Sequence, residues 1–302
     1  MRRATFYWLL AAVLAFAIGG TARAEQPQAQ AAQTHLLWKV TGPAGVVYLL
    51  GTIHAGTADL YPLPPVIEAS FKRSNMLIEE INMSDDNDQD VATRYMAQNG
   101  IYPPMDRIAN HLSEDTMDRL VAYAQTGQLP ANYTRVRPWL LSLMIGQLEV
   151  KRLGLDKQKG LDRHFFEEAT QMHKPVGALE TGEYQIMLLS SFSPSMQDKV
   201  LRDALIDVEK HTKLLDEILH AWKAGDAEAM AAAATETVRE HPDLAPVMKE
   251  LVDDRNDMMT EKITQFLGTP KTYFVAVGAA HLVGEHGVVN QLRAKHYTVE
   301  QL

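Results

Sequence analysis

Two segments far apart in the chain end in the same way. "YLLGTIH", Tyr48 to His54, and "FVAVGAAH", Phe274 to His281, each run from an apolar stretch into a glycine, two small or apolar residues and a histidine. A short apolar run closed by glycine reads as a buried strand, so each histidine stands just past a strand's carboxyl end. In open α/β sheets that rim is where loops converge and ligands bind. Gly51 and Gly278 are expected to let the backbone turn sharply as it leaves each strand.

The rest of the chain supplies more strands. Leu36 to Val40 and Val46 to Leu50 flank the turn "TGPAG" and predict a hairpin. "NMLIEEIN" is a strand ending at Glu80, "HKPVGALET" one ending at Glu180, and Tyr297 to Val299 a last short strand. Between them lie helical patterns: after "YPLPP", from Asp88 to Arg152 with breaks, from Ser195 to Phe266, and from Gly284 to Lys295. This alternation predicts an α/β fold, a mixed β-sheet with flanking helices and a largely helical middle insertion or cap.

His54, Glu80, Glu180 and His281 therefore share one address, the carboxyl ends of strands. Two imidazoles with one or two carboxylates form a donor set for a divalent cation such as zinc, manganese or cobalt. Such a cation activates water, and a carboxylate left over, Glu80 or Glu180, would serve as general base. Any one of these residues alone reads as a structural side chain or a helix cap; the metal reading rests on all four together. The chain has no H-E-x-x-H, G-x-S-x-G or P-loop motif.

The N-terminus carries a different message. Arg2 and Arg3, the apolar run Trp8 to Ile18 and "ARA" at residues 22–24 read as a secretory signal peptide over residues 1–24. Residues 25–35 read as a disordered polar spacer, leaving 36–302 as the folded part. The expected product is periplasmic or secreted, with no stable membrane anchor after cleavage. The absence of cysteine excludes disulfides, thiolate metal sites and a lipoprotein anchor. Net charge is −9, and more negative once Arg2, Arg3 and Arg23 are removed, which argues against nucleic acid as partner.

"LLWKV", "VVYLLGTIHAG", "YPLP", "LIEEIN", "GLDRHFFEEATQMHKPVGALET", "RNDMM" and "YFVAVGAAHLVGEHGVV", in that order, resemble the TraB/PrgY/GumN family from about Leu36 to the C-terminus. That family is related to TIKI-type metalloproteases. The resemblance implies that His54, Glu80 and His281 ligate a metal and that a peptide or protein is the substrate. It places Glu180 in the family's "LET" segment and Arg255 in its "RN" segment, where an arginine would hold a substrate carboxylate or a developing oxyanion. Asn82 stands where the family often has aspartate. The family's links to conjugation and exopolysaccharide clusters, and a haem-binding protein of related fold, leave a non-catalytic binding or accessory role as the alternative.

Other features read as structural. Asp86, Asp88 and Asp90 begin like an EF-hand loop, but Val91 and Ala97 break the pattern, so a solvated acidic loop is expected. His211 and His220 read as surface, Met248, Met258 and Met259 as core filler, and His286 as a neighbour of the site.

Overall fold

The computed structural model describes residues 34–205 and 208–302, with the side chains of 208–212 and 237 outside that description. The signal peptide, nearly all of the spacer and the side chain of His211 thus lie outside the described residues. Strands β1 (Leu37–Thr41) and β2 (Val46–Thr52) pair antiparallel, Thr41 opposite Val46, as the hairpin pattern predicts. β3 (Met76–Glu79), β4 (Val176–Ala178) and β5 (Thr272–Gly278) join a parallel set, and β6 (Thr298–Gln301) returns antiparallel to β1. The order across the sheet is β4-β3-β5-β2-β1-β6. Four adjacent strands, β4, β3, β5 and β2, therefore point the same way and end on one rim.

The parallel centre explains the unbroken apolar runs. A strand covered on both faces has no solvent side, so "TYFVAVG" is buried at every position after its first. Phe71, Phe165 and Phe274 meet over the sheet with ring centroids 4.8 to 5.4 Å apart. Phe71 comes from α1 (Pro65–Arg73), which opens on a proline suited to a helix's first position.

The middle of the chain is helical: α2 (Asp86–Asn99), α3 (Glu114–Ala124), α4 (Pro138–Arg152), α5 (Leu161–Gln171), α6 (Gly182–Ser191) and α7 (Pro194–Ala204). All but α5 build apolar clusters apart from the sheet's core. One gathers Trp139, Leu143, Ile186 and Val247, the other Leu120, Leu141, Ile145 and Leu201. Then come α8 (Val208–Ala224), α9 (Ala227–Glu240) and α10 (Ala245–Met248), a π-helical turn (Lys249–Asp253) and α11 (Asp254–Leu267). α12 (Ala279–Leu282) and α13 (Val288–Ala294) complete the fold. Among the described residues no helix is long and apolar enough to cross a membrane.

Several local expectations change. The acidic segment is the start of α2, where Asp85 caps the helix, and Asp88 accepts from the backbone N–H groups of Gly182 and Glu183 at 2.6 and 3.2 Å. It ties two helices together instead of hanging in solvent. Met259 is buried and Met248 packs on a core cluster, but Met258 is 40% exposed and its sulfur faces the Tyr184 hydroxyl. The last helix starts at Val288, because Gly284 takes a positive φ of 82° and breaks the segment first.

Candidate metal centre

The four parallel strands deliver their residues to one rim. His54 follows β2, Glu80 follows β3, Glu180 comes two residues after β4, and His281 sits in α12 directly after β5. The register puts Thr52 beside Gly278 and Glu79 beside both Ala276 and Ala178, so the four strand ends are nearly level.

Glu80 is the centre of the group. Its Oε1 accepts from the Gly278 N–H at 2.8 Å and stands 3.8 Å from His54 Nε2 and 3.9 Å from His281 Nε2. Its Oε2 accepts from Arg255 Nη2 at 2.8 Å and from Gln185 Nε2 at 3.2 Å. Burial alone would raise the Glu80 pKa. The neighbouring His281, the charged Arg255 and His54, and the Gly278 N–H together hold it well below the usual carboxylate range.

Behind each imidazole stands an oxygen. His54 Nδ1 lies 2.8 Å from Asp162 Oδ2, and the other Asp162 oxygen accepts from the Thr52 hydroxyl at 2.7 Å. His281 Nδ1 lies 2.7 Å from Asn256 Oδ1, and Asn256 Nδ2 donates to the His286 carbonyl at 3.0 Å. That second bond orients the amide with its oxygen toward His281. With a proton on each Nδ1, the Nε2 atom of both rings faces Glu80. Burial opposes protonation of His54, but the Asp162 charge and hydrogen bond, with Glu80, push its pKa up to about 9. Burial, with Arg255 adding, pulls His281 down to about 3.

Arg255 and Glu180 form a buried brace. Arg255 Nε reaches both Glu180 oxygens at 3.0 and 3.1 Å, its Nη2 bridges Glu180 and Glu80 at 2.8 Å each, and its Nη1 donates to the Leu251 carbonyl. Gln185 Nε2 also donates to Glu180 at 3.0 Å. Only 3% of the Arg255 side chain and 4% of Glu180 is exposed, against 26% of His54, so solvent reaches the group on the His54 side. Glu180 is not the acidic first residue of α6: Thr181 caps that helix by accepting from the Tyr184 N–H. The Asn82 side chain turns away into its own loop, accepting from Ser84. His286 contributes its carbonyl to Asn256.

The glycines serve closeness, not turning. Gly278 has φ −49°, open to any residue, but a Cβ there would lie 3.0 Å from His54 Nε2 and 3.2 Å from Glu80 Oε1. Gly51 also lacks a positive φ, and a Cβ on it would press on Ala279 at 3.1 Å.

Asp162 was not singled out from the sequence, although a signal was present. Leu161, Asp162, Phe165 and Ala169 are all buried on one side of α5. A carboxylate on an apolar helical stripe calls for a buried partner. Glu79 is a second acid that the local sequence pattern does not mark. It is 2% exposed, neither carboxylate oxygen has a hydrogen-bond partner among the described residues, and burial, with Asp162 and Glu80 nearby, pushes its pKa well above the usual range.

Among the described residues no three or more histidine, aspartate and glutamate side chains already close around a point as a formed metal site does. The donor chemistry nonetheless fits a divalent cation. Two imidazole nitrogens face one carboxylate oxygen, and each ring is fixed from behind by an oxygen acceptor, the outer support that metal-ligating histidines use.

A family model described as the TraB/PrgY/gumN family matches residues 36–301. The uncharacterized protein YbaP of Escherichia coli is 27% identical over 82% of this chain and 87% of its own length. Two zebrafish (Danio rerio) proteins named as metalloproteases are more distant. TIKI2 is 22% identical over 97% of this chain and 67% of its own length, and TIKI1 26% over 84% and 60%.

Proposed function

The chain belongs to the TraB/PrgY/gumN family, and on that premise we propose that it is an exported, metal-dependent hydrolase that cleaves peptide bonds. One observation carries the reading: His54 Nε2 and His281 Nε2 face the same Glu80 oxygen while both Nδ1 atoms are held from behind. His54, Glu80 and His281 would hold the cation, with zinc, manganese and cobalt all compatible with nitrogen and oxygen donors. When bound it supplies Lewis acidity, polarising a carbonyl and activating water. The peptide bond as substrate draws on the TIKI metalloprotease names, and export on the N-terminal signal pattern.

The protein's own groups prepare the site. Asp162 and Asn256 fix the two rings, and the Gly278 N–H with Arg255 Nη2 fixes both oxygens of Glu80. Glu180 has both oxygens occupied by Arg255 and Gln185. We therefore assign both as positioning residues, Arg255 keeping Glu80 ionised and in place and Glu180 holding Arg255, instead of as an oxyanion donor and a general base. Substrate would enter on the His54 side, the exposed edge of the group.

The test uses untagged mature protein from the periplasmic fraction, whose first residue should be at or near Glu25. A divalent ion should be present at about one per chain, and a peptide library should be cut in its presence. His54→Ala and His281→Ala should each lower metal affinity by more than about 100-fold, since a side chain that binds the metal matters at least as much as the group that supports it. Metal bound by wild type without peptide cleavage would leave a binding or accessory role. Affinity unchanged in both variants would make the histidines structural.

A further inference from the structure

Away from the sheet rim, the segment leading into α4 holds a second concentration of unusual polar groups. Ile101 and Val136 form an isolated antiparallel bridge, with the Tyr102 N–H donating to the Arg135 carbonyl at 2.7 Å and the Arg137 N–H to the Gly100 carbonyl at 2.8 Å. Arg135 and Arg137 are two residues apart around Val136, whose backbone is extended, so their side chains leave on the same side. Both side chains then meet Tyr102. Arg135 Nη2 donates to the Tyr102 carbonyl at 2.9 Å, and the Arg137 guanidinium lies over the Tyr102 ring, 4.6 Å from its centroid.

The stack continues. The His111 ring is parallel to Tyr102 within 5°, its centroid 4.3 Å away. Two groups centred that closely over one ring must take opposite faces, so Tyr102, itself 5% exposed, is sandwiched between Arg137 and His111. His111 Nε2 is held in turn by Asp106 at 2.9 Å. A guanidinium held over a tyrosine face by a cation–π contact does not use its N–H groups in that contact and leaves them to find acceptors elsewhere.

Those donors lack acceptors. The Nε atoms of both Arg135 and Arg137 are buried and have no hydrogen-bond partner among the described residues. Neither arginine forms an ion pair there, whereas Arg119, Arg152, Arg163, Arg202 and Arg255 each reach a carboxylate. Asp106, which holds His111, is occupied by that ring, by Asn110 and by the Arg107 N–H. A buried N–H without an acceptor is costly, and two on neighbouring guanidinium groups in an acidic chain call for an oxygen supplied from outside. Arg137 is also the cap residue of α4, which begins with no side-chain acceptor at its positive end.

We propose that Arg135 and Arg137, braced on Tyr102, form a binding site for an oxyanion group, a phosphate or a carboxylate, separate from the Glu80 centre. Fixed planar forks suit an oxyanion because each can give two parallel N–H bonds, and a pair neutralises the charge. The phosphate or carboxylate is the end group of a larger ligand or a free ion, and the two arms of the test separate the chemistries.

The mature full-length chain is titrated calorimetrically with inorganic phosphate and, separately, with succinate, in chloride buffer. At least one anion should bind saturably at one site and raise the melting temperature. Phosphate alone marks a tetrahedral oxyanion site, succinate alone a carboxylate site, and binding of both an unselective one. Arg135→Gln and Arg137→Gln should each weaken binding about tenfold or more, as expected for charge-assisted bonds. Arg107→Gln, whose guanidinium binds local carbonyls in its own loop, should leave it unchanged. Should a glutamine variant fail to fold, Arg137→Lys keeps the charge, loses the planar fork and should still bind more weakly. Neither anion binding to wild type, or binding unchanged in folded variants of both arginines, would overturn the proposal.

Discussion

The His54 corner and the His281 corner share a strand, a glycine and a three-residue step, but their surroundings oppose each other. His54 leans on a carboxylate, Asp162, with a quarter of its side chain open to solvent. His281 leans on a carboxamide, Asn256, and is sealed. The consequence is electrostatic. One imidazole takes a proton up to about pH 9 and the other stays neutral down to about pH 3. The geometry toward Glu80 is nearly the same, 3.8 and 3.9 Å, so the difference comes from the deeper burial of His281, with Arg255 adding, and from the carboxylate behind His54. In the metal-free protein the charged ring faces Glu80 from the open side. A cation held there would take the place of that proton, while neutral His281 already offers a lone pair.

The sharpest way to break the comparison is Asp162→Asn, which gives His54 the same kind of support as His281. Losing the anion should bring the His54 pKa down from about 9 to below its ordinary value, because burial then acts with little opposition. Metal affinity should fall by about 10–100-fold, the usual cost of losing a carboxylate behind a histidine ligand. In wild type at pH 7, cation binding should release about one proton, drawn from His54; in the variant it should release close to none. The linkage has a definite sign. A raised histidine pKa stabilises the metal-free fold below the unfolded value of about 6.5, and that contribution disappears as pH rises through about 9. Calorimetry in buffers of different ionisation enthalpy measures the proton count. Equal release by both proteins would end the assignment of that proton to His54.

How far this contrast was legible in the sequence depends on distance along the chain. The two glycine-histidine steps, the four strand-end residues and the mixed sheet follow from local runs, because strand ends and apolar periods are written in adjacent residues. What stands behind the rings is not local. Asp162 lies 108 residues from His54 and Asn256 25 residues from His281, so only the fold decides which oxygen meets which nitrogen. The same limit applies to Glu180, which looks like a helix-terminal acid when read beside "TGEYQ" but is claimed by an arginine 75 residues away. The glycines look like turn residues in sequence, whereas neither takes a positive φ and both sit where a Cβ would crowd a neighbour, because sequence shows the missing Cβ but not what fills its place.

The converse substitution sharpens the comparison from the other side. Asn256→Asp places a carboxylate against His281 Nδ1 and should raise that histidine from about 3 by about 1–3 pH units, the effect of an opposite charge at contact distance. The new aspartate cannot donate to the His286 carbonyl as Asn256 Nδ2 does, so stability should drop by about 1–3 kcal/mol. Imidazole chemical shifts against pH report the titration and a denaturant melt the stability. In wild type, a histidine kept neutral by burial costs stability as pH falls below about 6.5, where the unfolded chain takes up the proton. The variant should lose part of that acid sensitivity. A His281 titration that does not move would mean that burial, not the partner behind the ring, sets the difference between the corners.

The smallest effect belongs to Gly278→Ala, which probes the side on which the two corners are alike. The backbone at Gly278 accommodates alanine without strain, so any penalty comes from the methyl group alone. That methyl would sit 3.0 Å from His54 Nε2 and 3.2 Å from Glu80 Oε1, closer than ordinary contact, and the two atoms must give way by a few tenths of an ångström. The atoms nearest to that methyl belong to His54 and Glu80, so displacement should fall on them. Metal affinity should weaken by about three- to tenfold, less than for Asp162→Asn, because the donors survive and only their spacing changes. The Gly278 N–H still reaches Glu80, which keeps the carboxylate anchored while the ring shifts. Titration of His54 should move while that of His281 stays. Wild-type affinity with an unmoved His54 would show the rim to be loose enough to absorb a methyl group, and the reading of Gly278 as a spacing device would be lost.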